Sequence, residues 1–109
     1  MSDDSIKVLL IEDNPGDVRL IRELLKEARG TSFRLECVDR LSTGLERLAN
    51  GKSDAVLLDL GLPDSQGFDT FVKVRTQAPR MPIVILSGLA DEVLAAQAVR
   101  EGAQDYLIK

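Results

Sequence analysis

The chain has 109 residues, a length that suits one domain with one core. It is 44% hydrophobic and 29% charged with a formal net charge of −4, an ordinary globular composition that lacks the basic stretch nucleic-acid binding needs. It has no histidine and a single cysteine, which excludes Ser-His-Asp triads, histidine-ligated zinc, a phosphohistidine carrier and any internal disulfide.

The start, Met1-Ser2-Asp3-Asp4-Ser5, is acidic and polar, unlike a signal peptide, and Asp3 and Asp4 read as a solvated terminus. No apolar run approaches the roughly 20 residues of a bilayer span, so no membrane association and a cytoplasmic location are expected. A first strand is predicted over about Ile6–Ile11, running straight into Glu12-Asp13. Asn14-Pro15 then supplies an N-cap and a proline for the first helical position. Val18, Ile21, Leu25 and Ala28 follow at helical spacing, with Gly30 as the stop.

A second strand is predicted over Phe33–Val38, carrying Cys37 as a buried structural thiol, and a second helix over Leu41–Asn50, stopped by Asn50-Gly51. The third strand, Ala55–Asp59, ends in a carboxylate and leads into a loop, Leu60 to Gly67, full of turn residues. Asp64 in that loop reads as a turn residue. A third helix begins near Phe68, with Phe71 and Val72 expected inward, and ends before Pro79. The fourth strand, Ile83–Leu86, ends at Ser87-Gly88. Asp91 is the expected N-cap of a fourth helix with Leu94, Ala95, Ala98 and Val99 on one stripe, closed by Gly102. Asp105 reads as a turn or cap residue, and the last strand, Asp105–Ile108, ends in Lys109.

Continuous Val/Ile/Leu runs are the habit of parallel strands covered on both faces. Strictly alternating strands and helices predict one α/β domain over residues 1–109, with a parallel sheet between helical layers. In such a sheet all C-terminal strand ends lie on one edge, where open α/β sheets place their chemistry. Glu12, Asp13, Asp59, Ser87 and Lys109 would therefore converge. Three carboxylates on one edge repel each other, and a hard dication with oxygen ligands relieves that repulsion. Every earlier strand is followed by a helix, so a final helix is expected to be missing from this chain after Lys109, leaving one side of the sheet partly uncovered.

Glu12-Asp13 after the first strand, Asp59 with Leu62-Pro63 and Gly67, Ser87-Gly88, and Asp105-Tyr106 leading to Lys109 together resemble the receiver domain of two-component response regulators. The resemblance runs essentially end to end. It implies a flavodoxin-like, doubly wound five-stranded parallel sheet in the order 2-1-3-4-5. It also implies a signalling phosphoacceptor, not an enzyme acting on a separate metabolite, that assists its own phosphorylation and dephosphorylation. Asp59 is then the residue that takes a phosphoryl group from a sensor histidine kinase or a phosphotransfer protein. Asp13, Asp59 and the Gly61 carbonyl would hold Mg2+, with Glu12 acting mainly through metal-bound water. Ser87 would bond a phosphoryl oxygen, Lys109 would pair with the phosphoryl group, and Tyr106 would be the switch aromatic. The implied partners include a downstream effector and a second copy through the face of the fourth helix and fifth strand. The acidic pair is Glu-Asp where Asp-Asp is commoner, and serine stands where threonine is commoner.

The alternative is a receiver fold that serves only as an interaction module, without phosphotransfer. A hydrolase of the aspartate-based type would need a second acid two residues after the nucleophile, where Gly61 stands. A nucleotide site is disfavoured because no glycine-rich loop follows the first strand.

Overall fold

A computed structural model describes residues 5–109, so the expectation for Asp3 and Asp4 lies outside the described residues. The five predicted strands form β1 (Ile6–Ile11), β2 (Phe33–Val38), β3 (Ala55–Asp59), β4 (Ile83–Ser87) and β5 (Asp105–Ile108). All pair in parallel, in the order β2-β1-β3-β4-β5. This is the expected doubly wound order. Between the strands lie α1 (Pro15–Glu27), α2 (Leu41–Ala49), α3 (Phe68–Gln77) and α4 (Glu92–Arg100).

The period-2 geometry of a strand divides each apolar run between two layers. Leu9, Ile11, Val56, Leu58, Ile83 and Ile85 point to one face, where they pack with Leu41 and Leu48 of α2, Phe71 and Val74 of α3, and Ala95 and Ala98 of α4. Leu10 and Leu86 point to the other face, where Ile21, Val18 and Leu25 of α1 meet them with Leu57, Leu35 and Cys37. Three helices therefore cover one face of the sheet, and α1 packs on the other. The strand that carries Cys37 is an edge strand under α1, so its thiol is half-buried rather than buried, and Arg22 Nη2 donates to Sγ at 3.3 Å.

The helix signals hold with small changes. Asn14 caps α1, its Oδ1 accepting from the Gly16 and Asp17 amides at 2.8 and 3.2 Å, and Pro15 opens the helix. The helix ends at Glu27, before Gly30, because Ala28 already turns to extended backbone. In α3 it is Val74, not Val72, that joins Phe71 inside; Val72 is exposed. Phe71 and Val74 are three residues apart and share a face, whereas Val72 is rotated away. Asp91 precedes α4 but makes no side-chain cap bond, since a 3-10 turn, Leu89–Asp91, leads into the helix instead.

The loop after β3 is more ordered than its turn-rich composition indicates. Gly61–Leu62 pairs antiparallel with Ser65–Gln66, and the Gly67 amide bonds the Leu60 carbonyl at 2.8 Å. Gly67 carries φ 79°, a conformation that costs a Cβ-bearing residue energy. Ser65 Oγ and Thr70 Oγ1, 2.7 Å apart, satisfy each other beneath this loop. Leu60 and Leu62 are buried in the core, so the loop is fastened where it leaves Asp59.

Candidate functional site

The parallel register delivers the expected residues to one edge. Ile11 pairs with Leu58, so Glu12 and Asp59 stand side by side one step further on. Asp59 pairs with Leu86, and Ser87 pairs with Ile108, which places Ser87 and Lys109 at the same edge. One carboxylate oxygen each from Glu12, Asp13 and Asp59 lies within 4.8 Å of the others. Glu12 and Asp59 are buried, at 2% and 8% exposure, while Asp13 faces solvent.

Lys109 Nζ reaches into this cluster. It donates to Glu12 Oε2 at 3.1 Å and to Asp59 Oδ2 at 3.3 Å, contacts that span 97 and 50 residues of chain. Its third neighbour is Asp17 Oδ2 on α1, at 3.0 Å. An ammonium has three donors, and here each faces a carboxylate. Burial alone would lower its pKa, but the bonds to Asp17 and Glu12 and the charges of Asp59 and Glu12 outweigh that and hold it above the ordinary lysine value. Sequence reasoning missed Asp17. Its position in the first turn of α1 reads as an ordinary dipole-favourable acid, and nothing local signals a partner at the far end of the chain.

The remaining acceptors are fixed by backbone. Glu12 Oε1 takes the Asn14 amide at 3.1 Å, and Asp59 Oδ1 takes the Gly61 amide at 3.0 Å. Burial, followed by the neighbouring Asp59 carboxylate, pushes Glu12 up to about 7. A buried carboxyl raised that far, beside other acids, is a mark of a functional position. Ser87 is buried, its Oγ donating to the Gly88 carbonyl at 3.1 Å. The Ser87 carbonyl in turn takes the Lys109 amide at 2.7 Å, tying the two residues together through the backbone.

Tyr106 stands one strand over, half-buried against the main core, with its hydroxyl donating to Glu92 Oε1 on α4 at 3.3 Å. The Asp105 carboxylate accepts its neighbour's amide, from Tyr106 at 2.8 Å, as a local turn-type bond. Asp64 does not touch the acidic cluster. Its carboxylate accepts the Leu41 and Ser42 amides at the start of α2, at 2.8 and 3.0 Å.

A strand-end acidic cluster with a reaching lysine, on a 2-1-3-4-5 parallel sheet, is matched by one family model, the response regulator receiver domain, over residues 8–109. The chain belongs to that family. Among curated relatives it is 35% identical over 102 residues to the KDP operon transcriptional regulatory protein KdpE of Escherichia coli K12, covering 94% of this chain and 44% of KdpE. The chain thus spans less than half the length of that relative. Among solved structures it is similar to the receiver domain of a Pseudomonas aeruginosa sensor histidine kinase with a magnesium ion coordinated in its active-site cleft. That match has a TM-score of 0.77 and 29% identity, and it covers 96% of this chain and 85% of the other. The phosphorylated cyanobacterial phytochrome response regulator RcpA also matches, with a TM-score of 0.73, 26% identity, and coverage of 96% of this chain and 81% of the other.

The chain is a receiver domain of the two-component type, a class of signalling phosphoacceptors rather than metabolic enzymes. Among the described residues no helix is long and apolar enough to cross a membrane.

Proposed function

We propose that Asp59 is the residue that accepts the phosphoryl group, that residues 1–109 act as one receiver unit, and that the donor is a sensor histidine kinase or a phosphotransfer protein in the cytoplasm. The observation that carries this is the shared ammonium: Lys109 Nζ binds Asp59 and Glu12 together at the strand edge. Asp59 is buried at the end of β3, and its Oδ1 is held by the Gly61 amide. That bond orients the carboxylate, and Oδ2, which Lys109 Nζ contacts at 3.3 Å, is the attacking oxygen once the ammonium turns to the incoming phosphoryl group. Oδ2 forms the new O–P bond as the donor's P–N or P–O bond breaks, the electron pair leaving with the donor group.

The donor set fits magnesium. It consists of hard oxygen ligands gathered within one cluster, one oxygen each from Glu12, Asp13 and Asp59 lying within 4.8 Å of the others. Asp13, Asp59 and the Gly61 carbonyl would hold the ion, with Glu12 acting through bound water. When bound, the ion supplies positive charge that offsets the charge of the phosphoryl oxygens. Lys109 adds a protein-borne cation beside Asp59, and the Ser87 hydroxyl gives up its Gly88 bond to donate to a phosphoryl oxygen.

Movement of Ser87 toward the phosphate frees space beside the loop that begins at Gly88. The Tyr106 ring then turns inward, breaking its bond to Glu92 and reshaping the face of α4 and β5 for an effector or a second copy. Neither nucleic acid nor membrane is a partner of this domain in this reading. The intact set of site residues favours phosphotransfer over a purely structural interaction module.

The test is phosphate incorporation from a small phosphodonor with magnesium. Acid-labile, hydroxylamine-sensitive label should appear on the unsubstituted protein and vanish in Asp59→Asn. Robust labelling of Asp59→Asn would show that another residue is the acceptor.

A further inference from the structure

The third partner of Lys109 is not explained by the phosphoacceptor chemistry. Glu12 and Asp59 belong to the acidic cluster, but Asp17 comes from the first turn of α1, outside it. It is nonetheless the shortest of the three contacts, 3.0 Å against 3.1 and 3.3 Å. The Asp17 side chain is 27% exposed, while those of Glu12 and Asp59 are 0% and 11%. It therefore sits at the mouth of the cup rather than at its floor. The position is rigid, because the Asp17 amide is tied to Asn14 Oδ1 and the helix continues from it.

A cation arriving among Glu12, Asp13 and Asp59 would be a like charge close to the ammonium, and it would compete for two of the three carboxylates that hold Lys109. Like charges that close repel strongly in a partly buried site. With Glu12 and Asp59 drawn to the metal, an ammonium without a third partner would swing out to water. Lysine is long, flexible and rich in rotamer entropy, and among the described residues Asp17 is the remaining carboxylate that pairs with it.

We infer that Asp17 is a positioning residue for Lys109, holding the ammonium at the mouth of the acidic cup while a divalent cation takes over Glu12 and Asp59. Lys109 then remains within reach of the incoming phosphoryl group and does not have to be recaptured from solvent. The inference rests on the magnesium and phosphoacceptor reading above, and it concerns a residue with no part in the metal cluster or the covalent step. Asp17 acts only through Lys109.

Two measurements on the full protein test it. The first is acylation of Lys109 by an amine-reactive reagent, read by peptide mass spectrometry with and without Mg2+. In the unsubstituted protein Mg2+ should change Lys109 labelling by less than about twofold, and in Asp17→Asn it should raise it about fivefold, the scale of one partly exposed ion pair. An equal Mg2+ effect in both proteins, or none in either, overturns the inference. The second is a double-mutant cycle on the rate of phosphorylation by acetyl phosphate. Asp17→Asn should slow the reaction about fivefold alone and have no further effect on Lys109→Ala. An undiminished effect of Asp17→Asn in the Lys109→Ala background overturns it as well, because Asp17 would then act by another route. If the unsubstituted protein takes up no phosphate, the phosphoacceptor reading falls, and the acylation comparison still decides the role of Asp17.

Discussion

Asp64 caps a helix to which it does not belong: its Oδ1 accepts the Leu41 amide of α2 at 2.8 Å, and its Oδ2 accepts the next amide, Ser42, at 3.0 Å. The residue at the N-cap position of α2, Arg40, makes no side-chain cap bond. The loop that leaves the proposed phosphoacceptor thus finishes the neighbouring helix.

Removing this cap should destabilise the protein modestly. N-cap losses cost about 0.5–2 kcal/mol, and solvent screening at this exposed carboxylate keeps Asp64→Ala near the low end. The bonds from Ser42 and then Leu41 hold the Asp64 carboxyl below the usual aspartate range. A depressed folded pKa stabilises above the unfolded value, about 3.9, and that contribution is lost as pH falls through the folded pKa. Urea midpoints should therefore separate Asp64→Asn from the unsubstituted protein at pH 7 and converge in strong acid. A gap that is unchanged at low pH would remove the charged cap from the explanation.

Glu12 gives the opposite pH dependence in a different window. Its folded pKa is raised, to about 7, first by burial and then by Asp59. The associated stability is fully present below the unfolded value of about 4.3 and is lost as pH rises through about 7. The chain has no histidine to confuse that range. In EDTA, denaturation midpoints should fall between pH 5 and pH 8, and Glu12→Gln should flatten the slope. Equal midpoints at the two pH values in the unsubstituted protein would contradict the raised carboxyl.

Gly44 packs α2 tightly against β1. A Cβ there would lie 2.5 Å from Ile11 Cδ1 and 3.0 Å from Ile11 Cγ1. Ile11 is fully buried, directly before Glu12. Gly44→Ala gains about 1 kcal/mol of helix propensity but overpacks the core at a cost of about 1–3 kcal/mol. A net loss of about 1 kcal/mol is expected in chemical denaturation. A stabilised variant would mean that Ile11 repacks freely.

Tyr106 is the only tyrosine, and there is no tryptophan, so absorbance near 295 nm reports it alone. The Glu92 charge, followed by burial, raises its phenol above the ordinary value. Glu92→Gln should lower the alkaline midpoint toward about 10. A midpoint indifferent to Glu92 would show that the ring is not tethered to α4 in solution.

The sheet and the residues at its edge were legible because they depend on local pattern. Unbroken runs such as Val8-Leu9-Leu10-Ile11 mark strands, and a parallel order puts their last residues together whatever the intervening helices do. That reasoning placed Glu12, Asp59, Ser87 and Lys109 on one edge, where the register brings them. Two contacts could not be read that way. Asp17 meets Lys109, and Asp64 meets Leu41, only after the chain has folded, and each looks locally like an ordinary helix or turn acid. For Asp64 a weak signal existed: α2 begins at Arg40-Leu41 without a capping side chain at its N-cap, so its free amides had to find an acceptor elsewhere. Val72 was misplaced for a simpler reason. Phe71 and Val72 are adjacent, and a helix cannot turn both neighbours fully inward.

Locating the phosphate is the most direct check on the proposed site. The protein is phosphorylated with acetyl phosphate and Mg2+, reduced with borohydride to convert an acyl phosphate to homoserine, and mapped by peptide mass spectrometry. Homoserine at position 59 alone is expected. Homoserine at position 13, the longer alcohol 2-amino-5-hydroxyvaleric acid at position 12, or neither product in protein that has demonstrably taken up phosphate, would contradict it.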